Sequence, residues 1–232
     1  NYKKYGGISA GGYIWHTTGS GKTLTSFKSA QLIASTSEVD KVVFLMDRIE
    51  LSTQTINEFR SFSEFEDEIQ ATDSTINLIN KLKSNSISEK LIVTSIQKMA
   101  RIKEDAQSDI ELVKNINTDI NRVRKKRLIF IVDEAHRSTF GEMLAVIKAT
   151  FPEALFFGFT GTPIYDQNMR KDSTTSTIFG DELHRYSITD GIRDGNVLGF
   201  DVYKVGTFSD TTLRIAVALD KANVATEQEA FS

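Results

Sequence analysis

The chain has 232 residues, of which 40% are apolar and 25% are charged, and its formal net charge is −3. These values are typical of a globular α/β domain with a core, and a nucleic-acid partner would have to be met by local basic patches, because the net charge is slightly negative. The chain has no Cys and three scattered His, which excludes disulfides, thiolate zinc sites and a histidine-rich metal site. No apolar stretch has membrane-spanning length and no signal-peptide pattern is visible, so we expect a cytoplasmic protein.

Residues 11–25 predict a β-strand, a glycine-rich turn and a helix N-terminus. Such an arrangement cradles the phosphates of a nucleotide, because the N–H groups of the turn converge on one point. Gly19 and Gly21 allow the backbone to curl, Lys22 would reach the β- and γ-phosphates of ATP, and the Thr23 hydroxyl would hold Mg²⁺. A flexible turn that only opens a helix is the alternative. The predicted nucleotide-binding residues are Thr17, Thr18, Gly19, Ser20, Gly21, Lys22 and Thr23.

A helix and a buried strand are predicted next. Over residues 22–35, Leu24, Phe27 and Ala34 share one face, which indicates a helix packed on a sheet. Residues 41–46 form a continuous apolar run, typical of a parallel strand covered on both faces. The chain therefore begins as a strand–helix–strand unit.

The stretch after this second strand is less informative. Residues 47–54 lead into a helix predicted to reach about residue 62, and on spacing alone a solvated helix start explains Arg48 and Gln54 best. Residues 64–90 are polar and rich in Ser and Asn, so we expect surface structure of variable form. No chemistry is assigned to this region from its residues alone.

A further buried strand is predicted to begin at residues 91–93, and Thr94 and Ser95 follow at its carboxyl end. Open α/β sheets bind ligands at that edge, but the two hydroxyls could equally cap the next helix. Residues 101–127 predict an amphipathic helix that ends in the basic cluster, Arg122, Arg124, Lys125, Lys126 and Arg127. The basic cluster is either a solvated face or a contact for DNA phosphates.

Residues 128–132 are the most apolar strand of the chain and deliver Asp133 and Glu134 at its carboxyl end. A carboxylate in that position can hold Mg²⁺, and a second carboxylate can polarise the water that attacks the γ-phosphate. Neighbouring side chains of a strand point in opposite directions, so the two acids can take different roles. The predicted catalytic residues are therefore Glu134, Asp133 and Lys22, with Thr23 and Asp133 as the metal-binding pair.

A helix over residues 140–150 and a strand over 155–159 are predicted before the tripeptide Thr160, Gly161 and Thr162. Small hydroxyl side chains at a strand end near the γ-phosphate can sense the nucleotide, whereas the alternative is a Gly-Pro turn between two elements. The remaining predicted elements are a polar loop over 166–177, a short strand and a helix within 179–195, and a strand over 201–205.

Four blocks in this order resemble the first motor lobe of superfamily 2 helicases and translocases: H-T-T-G-S-G-K-T, D-R-I-E-L-S-T-Q, D-E-A-H-R-S and G-F-T-G-T-P-I. The flanks G-G-Y-I-W-H, T-L-T-S-F-K, R-S-T-F-G-E and F-G-D-E-L-H-R-Y-S-I-T-D-G-I-R-D-G closely resemble the motor (R) subunit of type I restriction endonucleases. His16 stands where the strict P-loop pattern has its first Gly, a position that helicase-like motors commonly relax. The resemblance covers about residues 11–205.

The resemblance implies an α/β fold of the RecA-like P-loop type, with a mostly parallel central sheet and helices on both faces. It implies that Lys22 and Thr23 bind phosphate and Mg²⁺, that Asp133 holds the metal and that Glu134 activates water. Roles in coupling and in DNA contact are likewise implied only by the resemblance: His136, Thr160, Gly161 and Thr162 would couple nucleotide state to the track, and Arg48, Thr94 and Ser95 would contact the phosphates of one DNA strand.

The family's motor moves double-stranded DNA with a methyltransferase and a specificity subunit, and a separate nuclease domain cuts the DNA. We expect residues 1–200 to form the first motor lobe and 201–232 to begin a connection to a second lobe. The lack of an initial Met and the early P-loop suggest a fragment, which alone should bind nucleotide weakly and hydrolyse it poorly, because no second lobe, arginine finger, nuclease core or adenine-reading Gln motif is evident. An RNA helicase lobe and a degenerate P-loop module that binds partners without hydrolysis are the rival hypotheses.

Overall fold

The computed structural model describes residues 11–47, 69–71, 74–103, 110–135, 140–164 and 174–199. Strands alternate with helices along this part of the chain. The strands are β1 (Gly12–His16), β2 (Lys41–Met46), β3 (Ile69–Ala71), β4 (Leu91–Ser95), β5 (Leu128–Val132), β6 (Leu155–Thr160) and β7 (Glu182–Tyr186). The helices are α1 (Lys22–Ser35), α2 (Thr75–Lys83), α3 (Ile96–Ala100), α4 (Ile110–Val123), α5 (Phe140–Thr150), α6 (Thr175–Phe179) and α7 (Ile188–Arg193), with 3₁₀ turns at Ile87–Glu89 and Arg101–Lys103.

The strands form one sheet in the order β3-β4-β2-β5-β6-β1-β7, and every neighbouring pair is parallel. Because parallel strands all end at the same edge, the loops that follow β4, β2, β5, β6 and β1 lie side by side. The predicted motifs that the structure describes therefore meet at the carboxyl edge, although they are far apart in the sequence.

The sheet is buried on both faces, as the apolar run of β2 predicts. Val42 and Phe44 pack with Phe27 and Ala30 of α1 on one face. Val43, on the opposite face, belongs to a larger apolar cluster that residues of α2 to α6 complete. Side chains of a strand alternate between faces, so an uninterrupted apolar strand needs a cover on each side. The predicted α/β fold with helices on both faces is confirmed.

Residues 64–90 are more regular than we predicted. They contain β3, α2 and a 3₁₀ turn, and α2 buries Leu78, Ile79 and Leu82 beneath the sheet. The Ser74 hydroxyl caps this helix by accepting a hydrogen bond from the N–H of Asn77 at 3.2 Å. The Ser/Asn-rich composition conceals a short amphipathic helix, because cap residues and turn residues are the same types.

The predicted polar loop over 166–177 is also partly wrong, because Thr175–Phe179 is helical. Thr174 and Thr177 form a capping box in which each side chain bonds the other residue's backbone N–H. The predicted helix before residue 62 and the predicted strand over 201–205 lie outside the described residues. The described residues up to Val197 form one compact unit, and the boundary at residue 200 stays a prediction.

Candidate functional site

The glycine-rich turn between β1 and α1 has the backbone geometry of an anion nest. Gly19 and Gly21 both have φ of 81°, in the left-handed region that L side chains rarely adopt. The N–H of Ser20 points to the carbonyl of Thr17 at 3.4 Å, and the N–H of Thr25 bonds the carbonyl of Gly21 at 3.0 Å. Helix α1 begins directly at Lys22, so its N-terminal N–H groups and positive dipole end face the turn.

Four side chains from the turn and from the end of β5 come together. The Lys22 ammonium forms an ion pair with the Glu134 carboxylate and lies 3.8 Å from Oδ1 of Asp133. The Thr23 hydroxyl donates to Oδ2 of Asp133 at 2.9 Å. Lys22 and Asp133 are 7% and 1% exposed, respectively, so this pair interacts with little screening by water. The sequence predicted this convergence.

Asp133 and Glu134 differ in their surroundings. Burial raises the pKa of Asp133, although the Lys22 charge and the Thr23 hydroxyl oppose that rise. The Asp133 N–H bonds the carbonyl of Leu45 in β2 at 2.9 Å, and the N–H of Ala135 bonds Phe159 in β6 at 2.9 Å. Between these two anchors, Glu134 has φ of 53°, the one positive φ of a non-glycine residue among those described. Both neighbouring strands thus hold the carboxylate in a strained turn, which is typical of functional sites.

The arrangement suits a hard divalent cation. Thr23 Oγ1 and the Asp133 carboxylate are adjacent oxygen donors, and Mg²⁺ prefers to take few protein oxygens and complete its shell with water and phosphate. Within the described ranges, no group of three or more His, Asp or Glu side chains could hold a metal ion without such added ligands.

The tripeptide that begins with the last residue of β6, Thr160, packs against the glycine-rich turn. Trp15 Nε1 donates to the carbonyl of Gly161 at 3.1 Å, and the Thr160 hydroxyl accepts from the N–H of Thr162 at 3.2 Å. A Cβ added to Gly161 would lie 2.9 Å from the hydroxyl oxygen of Thr18. The close approach joins the predicted coupling residues to the predicted phosphate-binding residues, and their coupling role stays a prediction.

The DNA-contact residues are only partly described. Thr94 and Ser95 are 0% and 3% exposed, and Ser95 caps α3 by accepting from the N–H of Lys98 at 3.2 Å. The structure thus shows the capping role of Ser95, one of the two roles that the sequence left open. Phosphate contact by Thr94 and Ser95 stays a prediction. Arg48 and His136 lie outside the described residues.

Two features of this edge were not predicted from the sequence. Asp47, which directly follows β2, accepts a hydrogen bond from Nε2 of Gln97 near the start of α3 at 3.2 Å. His16 is buried, stacks on Tyr186 and contacts Ser20. The departure of His16 from the P-loop pattern was a sequence signal for the contacts of this histidine. Its partner Tyr186 lies in β7, and no sequence motif marks it.

The basic cluster lies at the opposite, amino edge, just before β5. Lys126 Nζ donates to the carbonyls of Lys83 and Ser84, both at 2.6 Å, and Arg127 pairs with Asp40 at 2.7 Å. Arg124 Nε donates to the carbonyl of Thr150 at 2.5 Å. These contacts make at least part of the cluster structural.

Comparisons with known proteins identify the family of the chain. The family model described as SWI2/SNF2 ATPase matches residues 3–230. The chain belongs to the SWI2/SNF2 ATPase family.

Within that class, the chain is 45% identical over 200 residues to the type I restriction enzyme SsaAORF53P endonuclease subunit of Staphylococcus saprophyticus, covering 86% of this chain and 20% of the relative. It is 40% identical over 151 residues to a putative type I restriction enzyme endonuclease subunit, MpnIIP C-terminal part, of Mycoplasma pneumoniae, covering 65% of this chain and 68% of the relative. The resemblance to endonuclease (R) subunits of type I restriction enzymes is confirmed. The chain spans about a fifth of the length of its staphylococcal relatives.

Solved structures with low sequence identity share the fold. The helicase domain of Pyrococcus furiosus Hef has a TM-score of 0.57 at 19% identity, over 86% of this chain and 40% of that one. A nuclease-deletion mutant of the Type ISP restriction-modification enzyme LlaGI, in complex with a DNA substrate mimic, has a TM-score of 0.56 at 16% identity, over 96% of this chain and 21% of that one. The predicted RecA-like fold is confirmed. Across the part of the chain that is described, no helix is long and apolar enough to span a bilayer.

Proposed function

We propose that the chain is the first motor lobe of a type I restriction endonuclease, in which ATP binding and hydrolysis drive the movement of double-stranded DNA. The observation that carries the proposal is the convergence of Lys22 and Thr23 with Asp133 and Glu134 at one edge of the sheet. This is the residue set that P-loop motors use to hold and cleave the γ-phosphate.

In the proposed mechanism, the N–H groups of the glycine-rich turn hold the phosphates, and the Lys22 ammonium contacts the oxygens of the β- and γ-phosphates. Lys22 has three N–H donors, so a phosphate can bind the ammonium together with Glu134 or can replace Glu134 as its partner. Glu134 would then orient a water and accept its proton, for which a carboxylate on a rigid turn is suited. Thr23 and Asp133 would hold Mg²⁺, which when bound neutralises charge on the phosphate oxygens.

The proposal includes partners beyond this chain. Double-stranded DNA is the proposed track, and Arg48, Thr94 and Ser95 are its proposed contacts. A methyltransferase subunit and a specificity subunit would complete the restriction complex, and DNA cleavage would take place in a nuclease domain elsewhere in the protein. The names of the relatives, type I restriction enzyme endonuclease subunits, support this assignment.

The test is Lys22→Ala in the full-length protein, assembled with its partner subunits. Loss of the ammonium should abolish DNA-stimulated ATP hydrolysis and translocation, measured as phosphate release and as displacement of a triplex-forming oligonucleotide. Lys28→Ala is the matched control, because Lys28 is an exposed lysine of the same helix. Unchanged turnover in Lys22→Ala would contradict the proposal.

Two rival functions can be separated in the same assay. An RNA helicase lobe would be stimulated by RNA, whereas we expect stimulation by duplex DNA and none by RNA. A degenerate module that binds partners without hydrolysis would show no stimulated turnover in the wild-type protein.

A further inference from the structure

His16 occupies a specific place between the glycine-rich turn and β7. It is 9% exposed, and its ring stacks on Tyr186 with centroids 4.9 Å apart and planes at 22°. Its Nδ1 lies 2.6 Å from Oγ of Ser20. The same Oγ lies 2.5 Å from the carbonyl oxygen of Thr17. Ser20, near the far end of the turn, therefore contacts both the histidine ring and the backbone carbonyl of Thr17 at the near end.

The hydrogens of this chain of contacts can be assigned from chemistry. The carbonyl of Thr17 can only accept, so the single proton of the Ser20 hydroxyl must point to it. Oγ of Ser20 must then accept from His16, which requires a proton on Nδ1 of the ring. The direction of donation is His16 Nδ1–H to Ser20 Oγ, and Ser20 Oγ–H to the Thr17 carbonyl.

Tyr186 fixes the ring from the other side. Its backbone carbonyl accepts from the N–H of Thr17 at 2.9 Å, and its hydroxyl donates to Asp194 at 3.1 Å and accepts from Asn196 at 2.9 Å. Because both ends of Tyr186 are held, its ring is a rigid support for the imidazole. Burial, together with the charges of His184 and Lys22, lowers the pKa of His16, which favours a neutral ring.

We propose that His16 is a positioning residue of the phosphate-binding turn and holds its curl through Ser20 by donation from Nδ1. The inference rests on the proposed nucleotide site. Where the strict motif has Gly, this chain has His16, whose side chain forms a hydrogen bond with the turn. The departure from the motif therefore supplies a residue that positions the turn. The fixed turn keeps its N–H groups convergent before a phosphate arrives, which lowers the ordering cost of binding.

The test compares two amide substitutions in the full-length complex. The amide nitrogen of Asn is two bonds from Cβ, as Nδ1 of His is, whereas the amide nitrogen of Gln lies one bond further, near the place of Nε2. His16→Asn can therefore retain the donor to Ser20, and His16→Gln cannot. Ser20→Ala removes the relay itself.

We expect His16→Asn to keep the apparent KM for ATP within about twofold of wild type, and His16→Gln and Ser20→Ala to raise it by about fivefold, the typical value of one hydrogen bond. The double variant His16→Gln/Ser20→Ala should be no worse than Ser20→Ala, because both changes break one chain of bonds. Equal midpoints of thermal unfolding for His16→Asn and His16→Gln would show that folding does not explain the difference.

Equal KM values for His16→Asn and His16→Gln, whether both are near wild type or both are raised, would overturn the inference. Lys22→Ala is measured in the same series and separates the two levels of the argument. If Lys22→Ala abolishes DNA-stimulated turnover while the Asn and Gln variants behave alike, the proposed function stands and the role of His16 is wrong. If Lys22→Ala turns over normally, the proposed function is wrong.

Discussion

The two edges of the sheet both carry buried or half-buried lysines, but they satisfy them in different ways. At the amino edge, Nζ of Lys41 donates to the carbonyl of Glu89 at 2.5 Å, and Lys126 donates to the carbonyls that end α2. At the carboxyl edge, Lys22 pairs with the carboxylates that follow β5. Carbonyls at the amino edge are fixed acceptors, whereas the side chains at the carboxyl edge can exchange partners.

The comparison teaches that lysines of the same residue type have backbone partners at one edge and, at the other edge, the carboxylates that we propose to be catalytic. The charged side chains at the amino edge connect the ends of neighbouring secondary-structure elements and should contribute to the free energy of unfolding. Those at the carboxyl edge lie in or beside turns with positive φ, which cost stability, and we propose that these turns position groups for chemistry. Substitutions at the two edges should therefore affect different measurements.

The largest expected effect is that of Glu134→Gln. Because Gln cannot accept a proton from water, DNA-stimulated ATP turnover should fall by about 100-fold or more. The amide oxygen can still accept from Lys22, so the midpoint of thermal unfolding should stay near that of wild type. Turnover is measured by phosphate release, and a loss of less than about threefold would contradict the proposed role of Glu134.

Gly21→Ala should show how much the positive φ of the glycine-rich turn affects the free energy of unfolding when a side chain is present. An added Cβ meets nothing within 4 Å, so the penalty comes from φ of 81° alone. We expect the free energy of unfolding to fall by about 1–2 kcal/mol. Gly141→Ala in α5 is the matched control, because its Cβ also meets nothing and no positive φ applies. Denaturant titration should show this control to be about 0.5–1 kcal/mol more stable than wild type.

Lys126→Met tests the amino edge. It removes the donor to two carbonyls and to Oδ1 of Asn85, and we expect a loss of about 1–2 kcal/mol in the free energy of unfolding. ATP turnover should not change, because the residue lies at the edge away from the site. Lys125→Met, at an exposed neighbour, should alter stability by no more than about 0.5 kcal/mol. If Lys126→Met reduced ATP turnover and left the free energy of unfolding unchanged, the proposed difference between the two edges would be wrong.

The smallest expected effect is that of Asp40→Asn, and it depends on pH. Hydrogen bonds from Arg127 lower the pKa of Asp40 from 3.8 to about 2. The ionised form is thus favoured by folding, so its contribution is complete above about pH 4 and is lost as pH falls toward 2. The pair is largely exposed, and after solvent screening the loss at pH 7 should be at most about 1 kcal/mol. A stability difference that grows as pH falls would contradict this assignment.

Much of this architecture could be predicted because the pattern of local residues determines it. The predicted bounds of α1, β2 and α5 agree with the structure, since each has one uninterrupted hydrophobic pattern. The convergence of Lys22 with Asp133 and Glu134 was also predictable, because parallel strands end at one edge. Helix α2 was missed, since three buried apolar residues in a polar segment give a weak signal.

Contacts between distant segments could not be predicted from the sequence. His16 and Tyr186 are in contact because β7 pairs with β1, and no local sequence pattern predicts which strand lies beside β1. The acceptors of Lys126 are main-chain carbonyls, which carry no sequence signal. Sequence reasoning therefore located the side chains that we propose to be reactive, and it missed the groups that contact and support them.

The position of β7 at the end of the sheet has a practical consequence. Its outward residues include Glu182, His184 and Arg185, and charged edge strands discourage pairing with other molecules. Its neighbour in the sheet is β1, which carries Tyr13 and Trp15. A truncation that removed β7 would leave β1 paired only with β6 and expose its other hydrogen-bonding edge, so shortened versions of this lobe should retain the chain through residue 186 to avoid aggregation.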